Sequence, residues 1–372
     1  MRHSWRIAKV LGIDIKIDSS WLIIFALLIW ILAGYYFPQH YPSWSRWIRW
    51  TVSFFTSILF FASVLIHELA HSFVALRQGE KVKSITLFIL GGVAEISEEP
   101  KKAMKEFYMA LVGPLTSLIL GAIFLILWAL IRNISEPIAA MTFYLGIINI
   151  VLAFFNLLPG FPMDGGRVLR AIIWQATGNL KKATRIASIV GQVIAFFLIF
   201  LGIWQLLSSI FIGGIWLIFI GWFLHSASVR GYQQVMLQEM LKDLRAEDLM
   251  NKDFMIVKSN LSIKELVEDY MLKHKERAFM VSDNSQLEGI ICLEDIKKVP
   301  QSEWSTIRVA DIMTPKEKLE TVSPHDNGNI VLSRLTAKNV NQLPVVEKGK
   351  LAGIVCRTDI LQFLQLRMEL GI

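Results

Sequence analysis

The sequence predicts an α-helical polytopic membrane protein that carries a tandem α/β domain at its C-terminus. Its apolar fraction of 54% exceeds the roughly 45–50% of ordinary soluble proteins. The excess is uneven, because residues 1–230 hold nearly all of the Trp and Phe, whereas residues 231–372 are rich in Lys, Glu and Asp. A repeat with a period of 64 residues in this second part indicates two similar small domains.

Six apolar runs are long enough to cross a bilayer, which takes about 20 residues per helix. They occupy residues 19–36, 51–77, 106–131, 137–158, 185–207 and 209–226. The first run begins too late for a cleaved signal peptide and lacks an Ala-x-Ala exit site, so it counts as a span. The sequence therefore predicts a six-helix membrane domain over residues 1–230.

The distribution of Lys and Arg predicts the orientation of this domain, because cytosolic loops collect these residues. With the N-terminus inside, the outer loops keep only Arg46, Arg49 and Arg132. The inner segments collect Arg2, Arg6, Lys9, Lys16, Arg77, Lys81, Lys83, Lys101, Lys102, Lys105, Arg167, Arg170, Lys181, Lys182 and Arg185. We expect a multi-pass protein of a prokaryotic cell membrane with both chain ends in the cytosol. The net charge of +7 is then explained by the cytosolic loops of a membrane protein, so it does not indicate a nucleic-acid partner.

The second apolar run contains three ionisable side chains, in the order His67-Glu68-x-x-His71. An ionisable group costs about 2.5–3.5 kcal/mol at the bilayer centre on insertion scales, so such groups usually serve a function. Histidines four residues apart share one face of a helix and can bind one metal ion. Glu68 lies one step round the helix, where a carboxylate can take a proton from water. The spacing therefore predicts a zinc site within the membrane.

A catalytic zinc ion needs three protein ligands and one open position, so a third ligand is expected elsewhere in the chain. Asp164 is the best candidate, because it lies in NLLPGFPMDGGRVLR, residues 156–170, where prolines and glycines break the helical pattern. An Asp-Gly pair is most often a simple turn, which is the alternative for Asp164 taken alone. His225, at the end of the last apolar run, is the next candidate.

Residues 1–230 resemble the site-2 proteases, which are intramembrane zinc metalloproteases. The resemblance lies in HELAH, LGGVAEI, ALVGPLTS and NLLPGFPMDGGR, in this order along the chain. It implies one Zn²⁺ ion per chain, bound by His67, His71 and Asp164. It also implies that Glu68 is the general base.

The same resemblance implies a small membrane-associated β-hairpin over residues 87–96, close to the active site. The residues with an implied substrate contact are Gly91, Gly92 and Asn156. The segment GPLTS, residues 113–117, stands where the family often has GPxxN. We interpret its Gly-Pro pair as a packing kink within a helix.

The soluble tail follows a linker over residues 231–246 and divides into units at 247–300 and 301–372. The units match at equivalent positions 64 residues apart, namely Gly289 and Gly353, Cys292 and Cys356, and Asp295 and Asp359. Each unit is expected to form a short strand, an amphipathic helix, two buried strands and a closing helix. The two cysteines fit free thiols in a reducing cytosol better than a disulfide.

The tail resembles a pair of cystathionine-β-synthase (CBS) domains over residues 245–366, most clearly in LPVVEKGKLAGIVCRTDI. The resemblance implies an adenine nucleotide bound between the units by Asp295, Asp359 and Thr358, and a homodimer formed through the CBS domains. Cysteine stands at 292 and 356, where the family has Ser or Thr, and a thiol is a poor donor to phosphate. The alternative for each Asp is a cap of the following helix.

These patterns predict a zinc metalloendopeptidase that cuts other membrane proteins in or near their transmembrane segments, as in regulated intramembrane proteolysis. An adenine nucleotide at the CBS pair is expected to regulate it. The alternative is a nucleotide-gated transporter or channel, because CBS pairs also occur in such proteins. A transporter is expected to carry internal repeats with polar residues at matching positions, and residues 1–230 show no such symmetry.

Overall fold

The computed structural model describes residues 4–89, 91–96, 102–208, 211–274, 276–283, 286–337 and 340–370. The chain divides into two units, Met1–Gln233 and Gln234–Ile372. The first unit holds a small sheet and the long apolar helices. The second unit holds the repeated segment.

A four-stranded sheet is formed by β1 (Ser4–Val10), β2 (Ile13–Asp18), β3 (Val82–Phe88) and β4 (Gly91–Ile96), in that order. β2 pairs with β3 in parallel, and the other two pairs are antiparallel. Alternate apolar residues of β2 face the helices, because Ile13 and Ile15 pack with Ala75 and Met109. β3 and β4 lie on either side of the middle of the predicted segment 87–96, of which residue 90 is outside the described residues. The membrane-associated hairpin itself stays a prediction. The two N-terminal strands were not predicted.

Five helices of the described residues are long and apolar enough to cross a membrane. The first, Ser19–His40, comprises α1 (Ser19–Ile31), a π-helical turn (Leu32–Tyr36) and α2 (Phe37–His40). The others are α3 (Arg46–Arg77), α4 (Ala103–Ile131), α5 (Glu136–Asn156) and, after the shorter α6 (Asp164–Thr177), α7 (Leu180–Leu207). They coincide with the first five predicted runs.

The sixth predicted run, residues 209–226, falls largely on α8 (Phe211–Leu241), while residues 209 and 210 lie outside the described residues. α8 is joined to α7 by a serine clasp, in which Ser188 and Ser228 each donate a hydroxyl to the other's carbonyl oxygen. Polar bonds of this kind and small residues hold helices together in membranes. The total of six spans stays a prediction.

The second unit joins both repeats in one sheet, in the order β5-β6-β7-β10-β9, with β8 paired to β7. The strands are β5 (Ile256–Val257), β6 (Ala278–Asp283), β7 (Gln286–Cys292), β8 (Thr314–Pro315), β9 (Gln342–Glu347) and β10 (Lys350–Cys356). The helices are α9 (Ala246–Leu249), α10 (Ile263–Glu265), α11 (Leu272–His274), α12 (Leu293–Ile296), α13 (Val309–Ile312), α14 (Gly328–Ala337) and α15 (Arg357–Leu370). Each repeat has its own apolar core, and Ala246 and Leu249 pack into the core of the second repeat.

Candidate metal centre

The structure brings together His67, His71 and Asp164, whose ligand atoms all lie within 4.8 Å of one another. The histidines lie one turn apart on α3 and are 4% and 5% exposed. Asp164 is the first residue of α6. Its Oδ2 lies 3.1 Å from Nε2 of each histidine, and the two Nε2 atoms are 3.2 Å apart. The three ligand atoms therefore form a nearly equilateral triangle.

This triangle has the dimensions of one face of a tetrahedral zinc site. Zinc binds His nitrogen and carboxylate oxygen at about 2.0–2.2 Å, which separates neighbouring ligand atoms of a tetrahedron by about 3.4 Å. The observed separations of 3.1 and 3.2 Å are close to that spacing. The group therefore fits a zinc ion with one coordination position left open, as a catalytic site requires.

The remaining ring nitrogen of each histidine bonds to α4. Nδ1 of His71 lies 2.6 Å from the carbonyl oxygen of Met109, and Nδ1 of His67 lies 2.9 Å from Oγ of Ser117. Because a carbonyl oxygen only accepts, Nδ1 of His71 carries the proton, and a neutral His71 presents a bare Nε2 to the triangle. Bonds of this kind orient metal-binding histidines. Nε2 of His71 and the Asp164 carboxylate therefore direct lone pairs into the triangle, where a cation would accept them.

Gly113 provides the space that the two imidazoles occupy. A Cβ at this position would strike Nε2 of His71 and would lie 2.8 Å from Nε2 of His67. The interpretation of the Gly-Pro pair as a packing kink missed this role. The available signal was the spacing of Met109, Gly113 and Ser117, which recur every four residues and so share one face of α4.

Glu68 is half-buried and lies beside β4 rather than among the three ligand atoms. A Cβ on Gly92 would strike Cγ of Glu68 and would lie 3.2 Å from its Oε1. Gly91 has a φ of +132°, a backbone conformation that side chains rarely adopt. The backbone conformation at Gly91 and the close approach of Glu68 at Gly92 therefore each favour glycine. The contact of both residues with substrate stays a prediction.

Close backbone packing holds the segment that leads into Asp164. A Cβ on Gly165 would strike the carbonyl oxygen of Leu157, and a Cβ on Gly191 of α7 would strike that of Phe161. The backbone N–H of Phe161 also donates to the carbonyl oxygen of Ala187 at 3.1 Å. This segment, residues 157–163, is called the ligand loop below. Its contacts fix where α6 begins.

Two other predicted candidates, Asn156 and His225, are not among the three ligand residues. Asn156 is the last residue of α5 and is half-buried, so it directly precedes the ligand loop. Its contact with substrate stays a prediction. The ring of His225 lies 5.1 Å from that of Phe196, and His225 is not part of the ligand group.

The two aspartates of the repeat have unlike surroundings. Oδ2 of Asp295 accepts from the backbone N–H of Cys292 at 3.2 Å, and Oδ1 accepts from Nζ of Lys298 at 2.9 Å. Asp295 thus forms the helix cap that was the alternative. Asp359 instead lines a cavity of about 240 Å³. Its Oδ1 accepts a hydrogen bond from the Thr358 hydroxyl at 3.3 Å. The other lining residues are Asp248, Leu249, Met250, Asn251 and Phe363.

Comparison with known proteins matches both parts of the chain. Residues 55–138 and 129–201 match the model of peptidase family M50, and residues 246–302 and 309–366 match the CBS domain. A candidate zinc metalloprotease of Synechocystis sp. is 36% identical over 371 residues, which cover 98% of this chain and 96% of that protein. A zinc metalloprotease of Methanocaldococcus jannaschii is 34% identical over 373 residues, covering 100% and 99%. The solved structure of a site-2 protease from the same organism is 33% identical, with a TM-score of 0.43, and covers 61% of this chain and 94% of that one.

Proposed function

This chain belongs to peptidase family M50 and is an intramembrane zinc metalloprotease of the site-2 type with a C-terminal CBS pair, and we propose that Glu68 is its general base. His67, His71 and Asp164 would hold one Zn²⁺ ion per chain. The membership decides against the transporter or channel that was the alternative. The observation that supports the three zinc ligands is the triangle of ligand atoms with 3.1–3.2 Å sides.

The chemistry of the site divides between the ion and the protein. A zinc ion held by these residues would supply a Lewis acid for the peptide carbonyl and would lower the pKa of its bound water to about 7. The protein holds Nε2 of His67 and His71 toward the centre through the bonds of their Nδ1 atoms to α4. Glu68 takes a proton from the attacking water and passes it to the leaving amine. The expected reaction is hydrolysis of a peptide bond, which leaves a new carboxylate and a new amine. The chain would therefore act as a zinc metalloendopeptidase.

The substrate would be a membrane protein whose transmembrane segment unwinds next to β4. β4 is an edge strand of its sheet, so one side of its backbone is able to pair with an added strand. Gly91 and Gly92 lie in β4, and Gly92 lies against Glu68. A substrate strand paired there would pass the general base, and Asn156, before the ligand loop, would contact it from the other side.

The roles of these residues can be separated by measuring zinc content and cleavage of a membrane substrate in the full chain. Glu68→Gln should retain about one zinc per chain and lose cleavage, because an amide cannot accept the proton. His67→Ala should lose both zinc and cleavage. Glu317→Gln, at an exposed position of the second unit, should retain both. Cleavage by Glu68→Gln at the wild-type rate would refute the assigned base.

Regulation through the CBS pair is a second proposal, and it concerns the Asp359 cavity rather than Asp295. Both carboxylate oxygens of Asp295 are already bonded, whereas Asp359 lines an open cavity. At about 240 Å³ this cavity is below the roughly 300–1,000 Å³ of most ligand sites, which suits adenosine better than ATP. Titration calorimetry of the full chain with adenosine, AMP, ADP and ATP should show binding that Asp359→Ala abolishes and Asp295→Ala retains. Equal loss in both variants would contradict this assignment.

We also propose that the CBS pair joins two copies of the chain. Leu272 is 70% exposed beside an apolar cavity lined in part by Val267, Met271 and Trp304. An exposed apolar patch of this kind indicates an interaction surface. Light scattering of the detergent-solubilised chain should give the mass of a dimer, and Leu272→Lys should give the mass of a monomer. A monomeric wild-type chain would exclude this partner.

A further inference from the structure

A buried ion pair joins α4 to α6 beside the metal centre. Nε of Arg170 donates to Oε1 of Glu106 at 2.7 Å, and Nη2 donates to the same oxygen. The two residues are 4% and 1% exposed. Nε of Arg167 lies 3.8 Å from that oxygen, with 24% of its side chain exposed. Arg170, counted in the sequence among the cations of a cytosolic loop, is therefore an interior residue.

Stability does not explain this pair. Removing two charges from water costs several kcal/mol per ion, and their attraction often does no more than offset that cost. The second carboxylate oxygen of Glu106 has no hydrogen-bond partner among the described residues. A pair that served stability alone would satisfy both oxygens, because an unbonded buried carboxylate oxygen is itself costly. The pair therefore calls for a different explanation.

The position of the pair suggests that explanation. Arg170 follows Asp164 by six residues on α6, and its guanidinium lies 4.9 Å from the ring centre of Phe161 in the ligand loop. Glu106 precedes Met109 by three residues on α4, and Met109 accepts the hydrogen bond of His71. The pair thus ties the helix and loop that carry Asp164 to the helix that orients the histidines.

We propose that Glu106 and Arg170 are positioning residues that hold Oδ2 of Asp164 against the two histidines. The proposal rests on the proposed function, since it concerns the same metal site. α6 has only 14 residues, so a tilt about its contacts with α4 would move its first residue. Glu106 restrains that tilt at α4, and Phe161 restrains it at the loop. Loss of either charge would let Asp164 withdraw while both histidines stay in place.

Zinc affinity and cobalt absorption of the full chain test this proposal. Glu106→Gln should weaken zinc binding by about 10–100-fold, the usual effect of losing a residue that supports a metal ligand. The Co²⁺ spectrum of that variant should shift toward the spectrum of Asp164→Asn. Arg170→Lys, which keeps the charge but loses the two-pronged bond, should show a smaller shift in the same direction and serves if Glu106→Gln does not fold.

A matched control separates positioning from general destabilisation. Ser188→Ala removes one of the two hydrogen bonds of the serine clasp between α7 and α8. It should lower the melting temperature while leaving zinc affinity and the cobalt spectrum unchanged. The proposal is overturned if Glu106→Gln and Arg170→Lys keep the wild-type affinity and spectrum. It is also overturned if they lose zinc only as much as Ser188→Ala does. A wild-type chain that binds no zinc, or a His67→Ala variant that binds it fully, would instead refute the proposed function.

Discussion

One face of α4, formed by Met109, Gly113 and Ser117, supports both histidines of the ligand triangle. Met109 and Ser117 bond the outer nitrogens of the rings, and Gly113 leaves room for the inner ones. Sequence reasoning found the histidines, because ionisable groups in an apolar run stand out. It did not find the α4 residues, because glycine, serine and methionine are ordinary residues of a membrane helix and only their contacts reveal their role.

Gly113→Ala should weaken zinc binding at least about tenfold, because the added methyl displaces both imidazoles from the triangle. Chelator competition on the purified chain measures the affinity. Gly34→Ala is the matched control, since the nearest atom to a Cβ at Gly34 is 4.0 Å away, in an ordinary van der Waals contact. Equal zinc affinity in the Gly113→Ala variant and the wild type would show that the space at Gly113 is not needed.

The two cysteines should react slowly with alkylating reagents. Burial, with the nearby charges of Asp295 and Asp359, raises the pKa of Cys292 to about 11 and that of Cys356 to about 12. The ordinary value is about 8.5, so the reactive thiolate at pH 8 is at least roughly a hundredfold scarcer than in an unfolded chain. Labelling by iodoacetamide, followed by mass spectrometry, should therefore accelerate about tenfold per pH unit between pH 7 and 10. A rate at pH 8 equal to that of the unfolded chain would contradict the raised pKa values.

The ligand loop is the element on which the site depends most, because it turns the chain from α5 into the helix that begins with Asp164. Its sequence, rich in proline and glycine, correctly predicted a break in the helix but left the start of α6 unnoticed. The reason is that the PMDGGR stretch favours a turn locally, whereas close packing on α7 selects a helix from Asp164 onward. The long apolar helices needed no such contacts to be predicted.

Gly191→Ala should lower both zinc affinity and stability, because its methyl would press on the ligand loop at Phe161. Overpacking of this kind typically costs about 1–3 kcal/mol. Gly202→Ala, on the same helix, makes a comparable contact with α8 instead, where a Cβ would lie 2.7 Å from the carbonyl oxygen of Gly214. Thermal melting should show a loss in both variants, while zinc binding should fall only in Gly191→Ala. An equal loss of zinc affinity in Gly191→Ala and Gly202→Ala would show that the ligand loop has no specific effect on the zinc site.

The orientation of the whole molecule follows from its Lys and Arg distribution and stays a prediction. Residues 37–50 and 132–137 are expected outside the cell, and both chain ends inside. Two exposed positions allow a test with a membrane-impermeant maleimide on intact cells. Ser43→Cys should be labelled and Ala176→Cys should not, whereas both should react in opened membranes. The native cysteines should add less background than an exposed cysteine, because burial raises the pKa of both thiols and makes the thiolate scarcer. Labelling of Ala176→Cys but not of Ser43→Cys in intact cells would indicate the opposite orientation.

The parallel pairing of β2 with β3 has a consequence for biogenesis. Asp14 pairs with Ser84, and Ile17 with Leu87, seventy positions later in the chain. The apolar helices from Ser19 to Arg77 lie between the two strands, so β2 meets its parallel partner only after these helices have been synthesised. Pairings so distant in sequence form late, and β4, beside Glu68, pairs with β3. On the proposed function, a nascent chain therefore carries the HELAH segment before the sheet that would hold a substrate strand is complete.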